Sequence, residues 1–166
     1  MTAVDDAYLN FSILAESVSD KDLGALQFCN EVAAKTLLIA AAGDLERRFC
    51  DAMEQKFHET ALQGHLKKFV SKRAINYQFH SLFDWKSNSV NSFLALFGDE
   101  KKVLLKAALS EEPYKQQVVD FLFIGRERNI IVHNGLASVS LDKTKDEIYS
   151  IYRNALAFVN FLQMNI

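Results

Sequence analysis

One proline in 166 residues, Pro113, and only six glycines leave this chain few places at which a helix must stop. Strand-like alternation is nearly absent, and apolar residues instead recur at three- and four-residue intervals. The sequence therefore predicts an all-α protein. No repeat, linker or low-complexity segment divides it, and 166 residues suit one domain with a real core. The expected architecture is a single-domain helical bundle over residues 1–166, with long antiparallel helices and shorter helices between them.

A first helix is expected over residues 4–18. Ser19 then opens "SDKD", a serine with an acid three residues later, which is the pattern of a helix start. From there a helical pattern runs to about residue 62, with Leu38, Ala41, Ala42, Leu45, Phe49 and Met53 on one face. Gly43 within it offers a place for another helix to approach closely. Shorter segments follow near 65–73, 76–83, 89–97 and 100–109. They carry Tyr77, Phe79, Phe83, Trp85, Phe93 and Phe97, read as core and as a lid over the long helices, because large rings supply much of a core's apolar area. Ser110, Glu111, Glu112 and Pro113 suit the start of the next helix, and Asn134-Gly135 its left-handed stop. Thr144 and Glu147 match a capping box for a last helix, whose buried face would be Ile148, Ile151, Tyr152, Ala155, Val159 and Leu162.

No run of 18 apolar residues occurs, and the acidic start "MTAVDDAYLN" lacks the basic flank and hydrophobic segment of a secretory signal. Cys29 and Cys50 have neither metal-ligand spacing nor a disulfide framework, which fits a reduced cytoplasm. A net charge of −2 argues against a general nucleic-acid coat protein but leaves room for a local basic site. Lys67, Lys68, Lys72 and Arg73 form one basic cluster and Lys101, Lys102 and Lys106 another. Either could equally be a solvated helix face.

The segment that carries chemistry is "RERNIIVHNG", residues 126–135. His133 falls in the last turn of its helix, where exposed carbonyls favour a protonated imidazole. In that form it can donate a proton to a leaving oxygen; when neutral it can accept one from a hydroxyl. Arg128 is permanently charged, and its planar donors match a phosphate. A cation for the phosphate and a histidine for proton transfer make a sensible kit for metal-independent RNA cleavage in which the RNA's own 2′-hydroxyl is the nucleophile. Residues five apart stand roughly 140° apart around a helix, so Arg128 and His133 do not project in parallel, whereas Asn129 and His133 do. A two-fold dimer would set the segment against its own copy and surround one cleft with two arginines and two histidines. The same residues could also be no more than the polar end of a buried helix.

"RNIIVHNG" resembles the signature of HEPN domains, an arginine, four to six residues, then a histidine, with a polar residue often following the arginine. The match is Arg128, Asn129, three apolar residues and His133, late in a helical chain and followed by one more long helix. "IAAAGDLERRFCDAM" and "FDWKSNSVNSFLALFG" are similar to the early helix and middle region of the RiboL-PSP-HEPN and MAE-type nuclease subgroup, so the resemblance covers about residues 30–162. It implies a homodimeric endoribonuclease that needs no cofactor and no metal, of a kind found in toxin–antitoxin and antiphage systems. By carry-over Arg128, Asn129 and His133 are catalytic. Glu46 would hold Arg128, or else only form a solvated salt bridge. Arg126, Lys72 and Arg73 are candidate cations for the RNA backbone. The chain has Gly135 where HEPN toxins paired with a nucleotidyltransferase carry a tyrosine, which speaks against control by tyrosine modification. Control would fall to a cognate antitoxin or another regulatory protein.

The competing expectation is a non-catalytic HEPN module that dimerises and binds a partner protein or a ligand. A metal-dependent enzyme finds little support. His58 and His65, with Glu54 and Glu59 nearby, form no HExxH, and glycine-rich phosphate loops are missing.

Overall fold

The structure, a computed structural model, describes residues 2–19, 22–59, 64–75 and 78–166. Among these the chain is all-α, with no strand beyond an isolated antiparallel bridge between Asp84 and Ser89. The helices are α1 (Ala3–Ser19), α2 (Leu23–His58), α3 (Gly64–Val70), α4 (Phe79–Leu82), α5 (Asn91–Ala95), α6 (Asp99–Leu109), α7 (Tyr114–Asn134) and α8 (Lys145–Asn165). A π-helical turn, Ser71–Ile75, continues α3.

Local signals explain most of the ends. Thr144 and Glu147 form the expected reciprocal capping box at the start of α8. Gly135 ends α7 at φ 87°, and its N–H donates to the Ile131 carbonyl at 2.8 Å. Two caps differ from expectation. Asp22, rather than Ser19, caps α2, accepting from the N–H groups of Gly24 and Ala25 at 2.8 and 3.1 Å, while Ser19 is the last residue of α1. A carboxylate accepts more strongly from the positive end of a helix than a hydroxyl does. Ser110 does not cap α7 either. Its hydroxyl turns back to the Lys106 carbonyl at the end of α6, and α7 begins behind Pro113 without a side-chain cap.

α2, with 36 residues, extends roughly 54 Å at 1.5 Å per residue and forms the spine of the fold. Its face of Leu38, Ala41, Ala42, Leu45 and Phe49 is buried, with Met53 half-buried, against α1, α7 and α8. Tyr114 meets Phe161, Phe121 meets Phe158, and Asn154 donates to Asp120, so α7 and α8 run antiparallel. Contacts of Thr2 and Asp5 with Tyr152 and Tyr149 set α1 antiparallel to α8 as well. α2 runs parallel to α8, as Tyr152 bonded to Asp44 and Gln163 bonded to Gln55 show.

The aromatic segment closes one side of the bundle. Phe49 makes edge contacts with Phe79, Phe83 and Phe93 at 5.2–5.4 Å between centroids, and Phe83 reaches Phe121 at 5.0 Å. Burying a ring of this size stabilises the fold by about 1.5–3 kcal/mol, which is why a four-residue helix such as α4 persists here. Tyr77 lies outside the described residues. Gly43 does not serve a close approach, since no atom lies within 4 Å of where its Cβ would be. The close approach is at Gly125 instead.

Asp44 fastens α2 to α8 from within. Its carboxylate accepts from the Tyr152 hydroxyl and from Arg48 Nε, both at 2.6 Å, and from Arg47. Burial pushes its pKa up, but these three bonds outweigh that and leave it below the ordinary value. A carboxylate with a lowered folded pKa adds stability that is complete above about pH 4 and fades as pH falls toward the folded value. Asp44→Asn is accordingly expected to lower stability by about 1.5 kcal/mol at pH 7 and to flatten the loss of stability below pH 4. Urea titrations at pH 7 and pH 3 check both parts.

Candidate functional site

The second half of α7 is positioned by a glycine. At Gly125 the helix lies against the indole of Trp85, so close that an added Cβ would sit 2.0 Å from Cζ3. The indole N–H of Trp85 donates to the His80 carbonyl at 2.8 Å, which ties α4 to the same place. Gly125 and Arg128 are three apart, on one face of α7. Consequently Arg128 and His80 border one small recess over Leu45, Phe79 and Phe121.

Glu46 enters from α2. Its Oε2 lies 3.4 Å from His80 Nε2, with the two side chains 35% and 40% exposed. Within this chain Glu46 thus stands against His80, where the sequence expectation had it holding Arg128, while Arg47 and Arg48 are engaged by Asp44. Arg128 Nη1 donates instead to Oδ1 of Asn129 at 3.1 Å. Burial, then the Arg128 charge, lower the His80 pKa, and the Glu46 carboxylate partly opposes them. Near neutral pH the balance favours neutral imidazole. No local pattern in the sequence distinguishes His80 from a surface histidine.

His133 is exposed in the last turn of α7. Around it Ile130, Val132 and Leu136 are exposed too, at 38%, 54% and 45%. Asn134 turns its amide back to the Ile130 carbonyl and finishes the helix. Within one chain, the structure thus gathers Glu46, His80, Arg128 and Asn129, with His133 one turn beyond Asn129.

The candidate backbone cations fare differently. Arg126 is committed internally: Nε and Nη2 lie 3.0 Å from Glu127, Nη1 donates to Asn88 at 3.2 Å, and the guanidinium sits over Phe123. It is a brace between α7 and the 84–89 turn rather than a free phosphate contact. Lys72 is exposed on the π-helical turn, which packs on α2 and α3. The Arg73 side chain lies outside the described residues.

Cys50 is half-buried, and burial followed by the charges of Glu46, Asp51 and Glu54 pushes its thiol up to about 11, so it is no nucleophile near neutral pH. No cluster of three or more His, Cys, Asp or Glu able to hold a metal occurs among the described residues, and none of their helices is long and apolar enough to cross a membrane. No family model, curated protein or solved structure matches this chain.

Proposed function

We propose that the protein is a metal-independent endoribonuclease of the HEPN type, working as a homodimer in a toxin or antiphage-defence role. The observation that carries the reading is the end of α7. There Arg128, bonded to Asn129, borders a small recess, and a solvent-facing His133 is surrounded by uncovered Ile130, Val132 and Leu136. Apolar side chains around a polar centre suit contact with a second copy related by a two-fold axis. Such a dimer brings two Arg128 and two His133 to one scissile phosphodiester.

In that cleft a neutral imidazole removes the 2′-hydroxyl proton and O2′ attacks phosphorus. The P–O5′ bond breaks, and a protonated imidazole returns a proton to the leaving O5′. The products are a 2′,3′-cyclic phosphate and a 5′-hydroxyl. Arg128 neutralises the charge that accumulates on the non-bridging oxygens. DNA lacks the nucleophile and is left intact.

Purified protein incubated with single-stranded RNA in EDTA is expected to release fragments ending in 2′,3′-cyclic phosphate. His133→Ala should slow this by about 10³-fold without changing the fold. Wild-type protein that leaves a broad RNA panel uncut, or a His133→Ala variant as active as wild type, overturns the reading. One observation favours the alternative of a non-catalytic dimeric module: Arg126, a cation that RNA would use, is already held by Glu127 and Asn88. An inert but dimeric wild-type protein would select it.

A further inference from the structure

Building on the nuclease reading, we propose that His80 is a further catalytic residue, accepting the 2′-hydroxyl proton beside Arg128, with Glu46 as its positioning residue. His133 is then left to serve as the proton donor. The division of labour rests on where three helices meet. α4 supplies the imidazole, α2 the carboxylate 3.4 Å from Nε2, and α7 the Arg128 side chain, which lines a recess shared with His80 and whose charge reaches the imidazole. A histidine whose one ring nitrogen faces a carboxylate carries its proton on that nitrogen when neutral, leaving the other with the lone pair that a base requires. The His80 side chain is 40% exposed, so a substrate hydroxyl can reach the ring.

Rigidity supports the role as well. The backbone of His80 is pinned by the Trp85 indole, and its ring stands edge-on to Phe79 at 5.4 Å. Trp85 in turn abuts Gly125, one turn before Arg128. Base and phosphate-binding cation are thereby held in one frame within a single subunit. His133 projects roughly 140° away from Arg128 around α7, a direction from which it would meet the leaving oxygen only in the dimer.

The charged groups that reach His80 are Glu46 from α2 and Arg128 from α7, acting in opposite directions on its proton affinity. Removing the carboxylate while keeping its shape must lower that affinity. Glu46→Gln is therefore expected to move the ascending limb of the pH–rate profile to lower pH, since the base is freed of its proton sooner. A side chain that merely supports the fold would leave the limb in place.

The test compares wild type, His80→Gln, Glu46→Gln and His133→Ala for cleavage of single-stranded RNA across pH 5–9, with the His80 ring titrated by NMR in wild type and Glu46→Gln. His80→Gln is expected to cut 10²- to 10³-fold more slowly with its circular dichroism unchanged. Glu46→Gln should shift the NMR midpoint and the kinetic limb together toward acid, which keeps the test decisive even if His80→Gln folds poorly. Were wild type to cut RNA and His133→Ala to be inactive while His80→Gln stayed within about twofold and Glu46→Gln left the limb unmoved, the His80 role would be overturned and the nuclease reading would stand. A wild-type protein inert toward RNA would remove both.

Discussion

Gly125→Ala is expected to destabilise the protein by about 3 kcal/mol, at the upper end of what forcing one carbon into a packed interior costs. Three atoms of the Trp85 ring lie within 2.6 Å of the new Cβ, and none can yield by a simple rotation. The indole is buried among Phe79, Phe83 and Phe121, and its N–H is bonded to the His80 carbonyl. Relief therefore requires α7 to move away from the 84–89 turn, which opens the aromatic cluster. A control comes from α2. Gly43→Ala meets no atom within 4 Å and should stabilise the protein by about 1 kcal/mol through helix propensity alone. Paired urea titrations separate the two. Equal effects of the same sign would mean that Trp85 does not pack as described. Any folded Gly125→Ala protein should also show a displaced His80, because one indole sets both.

Arg128→Ala is expected to reduce RNA cleavage by about 10³-fold, a loss on the scale of removing a charged group that faces the developing negative charge of a transition state. Arg128 is half-buried, and one of its guanidinium nitrogens is engaged by Asn129. The neutral amide orients the group without cancelling its charge, as a carboxylate would. Arg128→Lys keeps a charge but not the planar fork, and should recover only about a tenfold fraction of the loss. Single-turnover rates with the protein in saturating excess over RNA distinguish this from weakened affinity. Arg128→Ala protein that cuts as fast as wild type would leave the α7 motif without a catalytic role. The substitution also removes a charge that depresses the proton affinity of His80, so residual activity should peak at higher pH than in wild type.

Much of the fold could be read directly from residue order. The near absence of proline and glycine, the apolar spacing from Leu38 to Phe49, and the Thr144–Glu147 box are local features whose physics acts within a few residues. The α7 stop at Asn134-Gly135 was equally plain, because only a residue tolerant of positive φ ends a helix in that way. Less local features were not legible. Asp22 or Ser19 as the cap differed by competing oxygen acceptors three residues apart. Gly43 and Gly125 look alike as single glycines in helical patterns, and only the tertiary neighbour, here Trp85 of the 84–89 turn, decides which one is crowded. Arg126, read from the sequence as a candidate cation for the RNA backbone, is held by Glu127 and Asn88.

The candidate site divides along the same line. Sequence alone determined that Arg128, Asn129 and His133 share the end of one helix, since a helix fixes the spacing of neighbours along it. Which acid faces which base was decided only by tertiary structure. Glu46 meets His80 rather than Arg128 because α4 is held to α7 through Trp85, and no periodicity encodes a contact between three separate helices. Local hydrogen bonding and propensity act over a turn or two, whereas that meeting depends on how ring volumes fill the space between α2, α4 and α7.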